Sequence, residues 1–204
     1  MSFYFARHGE TDWNTAKKIQ GAHETALNEN GLRQADMLLQ TLRQSGTRIE
    51  AVYTSRQGRA YTTAEIAAKG FGAPLKAVDG LEEMSLGVFE GHNWNEVMAM
   101  YPGAFGYWTE DKRNRRPPEG ETYQEVVNRL ADAMRIILNE YDTALGGTGD
   151  VLIVSHGAVL LSLLTVLREL DFRDSYRYIE IRNAVPIKLE RPDLMRFLEL
   201  AARS

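Results

Sequence analysis

Two histidines each end an apolar, strand-favouring run and each precede a glycine: Phe3-Tyr4-Phe5-Ala6-Arg7-His8-Gly9 and, 156 − 8 = 148 positions later, Val151-Leu152-Ile153-Val154-Ser155-His156-Gly157. A neutral imidazole is basic enough to attack phosphorus near neutral pH, and it leaves again as a phosphoramidate that water hydrolyses. His8 is therefore the candidate nucleophile. Arg7 beside it offers a planar fork of donors matched to phosphate oxygens. One Arg-His-Gly triplet is a weak signal, because a histidine after a strand is at least as often a structural hydrogen-bonder. The second copy points to chemistry, since ligands of open α/β sheets bind beyond the carboxyl ends of parallel strands.

The elements that must present these tips are legible from periodicity. Leu32, Ala35, Leu38, Leu39 and Leu42 recur at helical spacing, with Gly46 placed to end that helix in the left-handed conformation. Ala51-Val52-Tyr53-Thr54 reads as a second strand, followed by a helix to about Ala68. Residues 74–78 read as a short strand, and residues 95–100 as a short helix within the otherwise irregular stretch 92–121. Thr122 and Glu125 form a capping box, and Val126, Val127, Leu130, Met134, Ile137 and Leu138 give the next helix its buried stripe. Gly146-Gly147-Thr148-Gly149 precedes a strand and lacks a following Gly-Lys-Ser/Thr, so it reads as a turn. A helix follows His156, residues 178–181 and 186–189 read as strands, and residues 193–202 as a terminal helix.

Composition removes whole classes of function. The 204 residues, 44% of them apolar, suit one domain with a sizeable core. With 24 basic and 28 acidic side chains the net charge is −4, which argues against a nucleic-acid partner. The absence of cysteine excludes thiol nucleophiles and disulfides. No basic leader or long apolar segment is visible, so a soluble, cytoplasmic protein with no membrane partner is expected. His23 and His92 stand alone, without metal-ligand spacing, and neither metal nor cofactor is expected.

Arg7-His8-Gly9-Glu10-Thr11, Trp13-Asn14, Gln20-Gly21, Arg59-Ala60 with Thr63-Ala64, Leu81-Glu82-Glu83, Gly87 with Glu90-Gly91, Gly120-Glu121-Thr122 and Ser155-His156-Gly157 together resemble the histidine phosphatase superfamily, which includes the cofactor-dependent phosphoglycerate mutases. The resemblance implies a three-layer α/β/α sandwich around a mostly parallel sheet, spanning residues 1–204 as a single domain. It implies Arg7, Arg59 and His156, the last protonated, as clamps on the phosphoryl group, and Glu83 as general acid and base. Glu82 is the alternative at that position. Asn14, Gln20, Gly21 and Gly157 would bind substrate, although a solvated loop is an equally simple account of Gln20. Gln57 and Phe89 depart from residues common in the family.

Residues 92–121 would form a lid whose basic run, including Arg115 and Arg116, either holds a second anionic group of the substrate or is a solvated turn. The expected activity is hydrolysis of a small phosphorylated metabolite through phosphohistidine on His8. The interval of 156 − 83 = 73 positions between Glu83 and His156 is short beside that of the resembling mutases, which favours water as acceptor. A phosphoglycerate mutase is the alternative, and a catalytically inactive phospho-ligand or protein-binding module a third reading. A homodimer is compatible with all three.

Overall fold

The computed structural model describes residues 2–144, 146 and 149–203. Phe3 and Phe5 face one side of β1 (Ser2–Arg7) and Ala6 faces the other, and all three are at most 1% exposed. A strand buried on both faces belongs inside a parallel sheet covered by helices. After α1 (Asp12–Thr15) and α2 (Glu29–Gln44), the chain forms β2 (Ile49–Thr54), α3 (Gly58–Phe71) and β3 (Leu75–Ala77). Then come α4 (Trp94–Met100), α5 (Pro102–Glu110), α6 (Tyr123–Ala144), β4 (Asp150–Ser155), α7 (Gly157–Leu167), β5 (Ile187–Glu190) and α8 (Arg191–Ala202).

Among the described residues the sheet runs in the order β3-β2-β4-β1-β5, parallel throughout except for the antiparallel edge strand β5. Leu38 and Leu42 of α2 and Ala60, Ala64 and Ala67 of α3 pack on one face, against Ala6, Val52, Leu152 and Val154. On the other face Val126 and Leu130 of α6, Val159 and Leu163 of α7, and Leu194 and Phe197 of α8 meet Phe3, Phe5, Tyr53 and Ile153. The expected three layers are thus present, with small residues on α3 allowing that helix to lie close to the sheet.

The ends of α2 follow their local chemistry. Asn28 caps its start by accepting from the Gly31 N–H at 2.8 Å. At its end Gly46 has φ 73°, and the Thr47 and Gly46 N–H groups return to the Leu42 and Arg43 carbonyls at 3.1 and 3.0 Å. Leu32, expected in the buried stripe, is instead 45% exposed, because the stripe begins one turn later at Ala35.

Two further expectations change. Residues 102–110 form α5, although Gly103 and Gly106 weaken any helical signal there. Pro102 is tolerated in the first turn, and Trp108, 3% exposed, ties the helix to Phe89 at 6.0 Å between ring centroids. Residues 178–181 form no strand: Tyr178 is 66% exposed, and the chain there runs on to Asn183, which bridges alongside Arg7. Of the expected glycine-rich turn, Gly146 has φ 65°, while Gly147 and Thr148 lie outside the described residues.

Candidate active site

Sheet register brings the two histidines together. β1 and β4 are adjacent and parallel with Arg7 opposite Ser155, so the next residues, His8 and His156, leave the sheet side by side. The His8 N–H still donates to the Ser155 carbonyl at 3.0 Å, extending the ladder by one rung. Neighbouring strands lie about 4.8 Å apart, and the two imidazole centroids are 5.2 Å apart. On the other side of β4, β2 ends in the same register, and Ser55 comes up beside His156.

The hydrogen bonds of each ring assign its free nitrogen. His8 Nδ1 lies 2.7 Å from the Gly9 carbonyl, which can only accept, so Nδ1 carries the proton and the lone pair is on Nε2. Nε2 has no hydrogen-bond partner among the described residues. His156 Nε2 is 2.8 Å from Ser55 Oγ. That oxygen already accepts from the Gln57 N–H at 3.1 Å, so its own hydrogen is available to His156, leaving a donor on His156 Nδ1. His8 and His156 are both held well below the ordinary imidazole value of 6.5, first by burial and then by neighbouring groups that disfavour a further positive charge: Arg7 and Arg59 for His8; the coupled His8 ring, Arg59 and Arg7 for His156. Burial and these neighbours thus work against the His156 cation that the resemblance implies.

Three of the five buried side-chain nitrogen and oxygen atoms that lack any partner among the described residues are Arg7 Nε, Arg59 Nε and His156 Nδ1. Buried donors without acceptors are costly, and among the described residues neither Arg7 nor Arg59 has a carboxylate within ion-pair distance, Glu83 acting on both from further off. Burial lowers the proton affinity of both guanidiniums, with Glu83 opposing that trend. Each of the three nitrogens is a donor that an oxyanion would satisfy. Arg59, wholly buried, also donates from Nη2 to the Gly21 carbonyl at 2.9 Å and from Nη1 to the His23 carbonyl at 2.6 Å, so it shapes the loop as well.

Glu83 and Glu10 are the carboxylates that line the cavity at this site, and Glu83 is the one that acts on both guanidiniums. Its Oε1 accepts from the Ala158 N–H at 3.1 Å, at the start of α7, and from the Met84 N–H at 2.9 Å. Glu82 instead turns back to accept from the Gly80 N–H at 2.7 Å. A Cβ built on Gly157 would sit 3.5 Å from Arg7 Nε and 3.6 Å from Glu83 Oε2, so this glycine lies between base and cation.

A cavity of about 640 Å³ opens over Arg7, Glu83, Gly157, Asn14, Gln20 and Gly21. Gln20 is buried, accepting from Thr11 Oγ1 and Thr25 Oγ1 at 3.0 and 2.6 Å, which excludes a solvated role. Asn14 accepts from the Thr11 N–H at 3.1 Å in the cap of α1. Gly21 has φ 48°, and a Cβ there would collide with the Glu90 carboxylate at 2.0 Å. Gly9 admits a close backbone approach: its Cβ would lie 2.3 Å from the Gly31 carbonyl.

Arg115 and Arg116 do not reach the cavity. Arg115 pairs with Glu110 and stacks on Tyr107 at 4.5 Å, and Arg116 donates to Glu125 at 2.7 Å. The basic side chains on the cavity wall are, besides Arg7, Lys17 and Lys18 of the loop after α1, and its aromatic wall is Trp94.

Several site residues carried no sequence signal of their own. Ser55 and Gln57 are ordinary loop residues until register places them. Gln57, 6% exposed, donates to the Gly21 carbonyl at 3.0 Å and accepts from the Glu83 N–H at 2.7 Å. Asn183 donates to the His8 carbonyl at 2.8 Å from between the two segments expected to be strands, residues 178–181 and 186–189. Among the described residues no cluster of His, Asp and Glu has the arrangement of a metal site, and no helix is long and apolar enough to cross a membrane.

Comparison with known proteins agrees with this geometry. A probable phosphoglycerate mutase, GpmB, from Erwinia tasmaniensis is 33% identical over 183 residues, 90% of this chain and 81% of the relative. Among solved structures, YhfR from Bacillus stearothermophilus superposes with a TM-score of 0.81 at 30% identity, covering 93% of this chain and 90% of that one. A mycobacterial glucosyl-3-phosphoglycerate phosphatase, solved as a complex with VO3, gives a TM-score of 0.76 at 26% identity over 93% and 90% of the two chains. The family model described as histidine phosphatase superfamily (branch 1) matches residues 3–195, and with the paired histidines and their bare donors the chain belongs to that superfamily.

Proposed function

We propose that the protein is a phosphatase that hydrolyses small phosphomonoesters through a phosphohistidine on His8. The observation that carries this reading is the set of three partnerless buried nitrogens, on Arg7, Arg59 and His156, in the neighbourhood of His8: the His156 ring centroid lies 5.2 Å from that of His8, and both guanidiniums act electrostatically on the His8 ring. Preorganised donors of this kind stabilise charge that develops on equatorial phosphoryl oxygens and are commonly the largest catalytic term.

In the first step His8 Nε2 forms a bond to phosphorus as the bond to the ester oxygen breaks, and Glu83 gives that oxygen its proton. In the second, water attacks phosphorus, the P–N bond breaks, inorganic phosphate forms, and the water proton passes to Glu83. The His8 lone pair is available throughout the neutral range because burial and the two guanidiniums keep the ring unprotonated. A dianion bound beside His156 favours the charged form of that ring, so His156 becomes a stronger donor when substrate arrives.

A mutase has one specific point in its favour, the name of the GpmB relative. The two activities part at the second step, where either water or a second substrate oxygen takes the phosphoryl group. A phosphate-release screen over small phosphomonoesters, with His8→Ala as control, tests the reading. Release is expected from the native protein and not from the variant. Interconversion of 2- and 3-phosphoglycerate faster than phosphate release would replace hydrolysis with mutase chemistry.

A further inference from the structure

The aromatic residues of α4 and α5 do more than fill space. A second cavity, of about 420 Å³, is walled by Trp94, Phe105, Trp108, Tyr123, Phe172 and Tyr176. This is within the size range of small-molecule sites. Trp94 lines both this cavity and the one above the phosphoryl site. The two are also joined along α7: Ala158, which donates to Glu83, lines the first cavity, and Leu161, three residues on, lines the second. Three residues of helix rise about 4.5 Å, so the aromatic cavity begins about one turn beyond the carboxylate that would protonate the departing oxygen.

Two features of this cavity call for a ligand. Trp108 is 3% exposed, yet its indole N–H meets no acceptor among the described residues. A ring with an acceptor at its edge would relieve that cost. Trp94 and Trp108 are stacked on each other, planes 7° apart and centroids 5.5 Å apart, so they form one continuous aromatic wall, and Lys112 closes the rim 5.1 Å from the Trp108 centroid and 4.8 Å from that of Tyr176. Flat walls and a half-buried cation suit a planar, electron-rich group rather than a flexible alkyl chain.

Resting on the phosphatase reading, we infer that this cavity is the leaving-group subsite, and that the substrate class is a phosphomonoester whose alcohol carries a planar aromatic or heteroaromatic group. Benzyl phosphate and propyl phosphate test this, because both are esters of primary alcohols of similar acidity and differ chiefly in the ring. The native protein is expected to favour benzyl phosphate by roughly tenfold or more in kcat/KM, the scale of aromatic stacking. Trp94→Ala and Tyr176→Ala, at positions 41% and 55% exposed where truncation is compatible with folding, should each shrink that ratio several-fold. Equal kcat/KM for the two esters, or a ratio unmoved in both variants, overturns the inference and leaves the phosphatase reading standing. Phosphate release from neither ester, nor from any other phosphomonoester, overturns that reading and this inference with it.

Discussion

At the scale of single residues, what separates a reacting histidine from a structural one is which nitrogen is already occupied. His8 spends Nδ1 on the Gly9 carbonyl, and His156 spends Nε2 on Ser55, so the two free nitrogens are of opposite type. Glu83, held by two backbone N–H groups, is the proton carrier in the account given above. An alkoxide must be protonated as it leaves, whereas a nitrophenolate leaves unaided. Glu83→Gln is therefore expected to slow hydrolysis of an alkyl phosphate by roughly 10²–10⁴-fold and that of a nitrophenyl phosphate far less. Equal losses in a comparison of kcat for the two esters would reduce Glu83 to a positioning role. The two candidate histidines were legible in the sequence, because strand, histidine and glycine follow one another twice. The choice of Glu83 over Glu82 came from the resemblance and not from residue type, which is the same for both; the fold sets Glu83 against the start of α7 and turns Glu82 back to Gly80.

At the scale of elements, the site is assembled by register and by struts between loops. Strand runs such as residues 151–155 announce themselves through apolar, β-branched composition, and the helices through their stripes and caps. The α5 helix did not, because its two glycines hide a segment held by tertiary packing of Trp108. Nor did the irregular stretch ending at Asn183, where Tyr178 and Ile181 imitate a strand. Gln57 illustrates the same limit from the other side: read as a packing departure, it is in fact a buried bridge between the Gly21 loop and the Glu83 backbone. Gln57→Leu leaves the Glu83 N–H without an acceptor, at about 1–3 kcal/mol of stability, while the Gly21 carbonyl keeps its bond from Arg59. The variant should lose kcat on an alkyl phosphate by roughly tenfold, a part of the 10²–10⁴-fold that general-acid catalysis contributes, and lose less on nitrophenyl phosphate. A stability loss in denaturant with an unchanged ratio of the two rates would make Gln57 a merely structural residue.

At the scale of the whole molecule, the site stores a cost that shows in the pH dependence of folding. In the unfolded chain each imidazole takes up a proton near its ordinary value of 6.5; in the fold, burial keeps His8 and His156 neutral well below it. Between the lowered value and 6.5 the unfolded state therefore binds more protons. Stability must rise with pH through that window and level off above it, by about 1.4 kcal/mol per pH unit for each histidine. His156→Asn should flatten this slope in denaturant unfolding followed across the window, and an unchanged slope would show that the ring titrates normally. The same buried cations that burden the empty protein are what a phosphoryl group would satisfy, which ties stability to ligand binding.

The central claim is that phosphorus becomes bonded to one nitrogen of one ring. Brief reaction with a phosphorus-labelled ester, followed by quenching in base and peptide mapping, measures this directly, because phosphohistidine survives base and is lost in acid. The account predicts base-stable, acid-labile label on the peptide containing His8, formed before phosphate appears and absent from His8→Ala. Label on any other residue, or phosphate released with full turnover by His8→Ala, would contradict it.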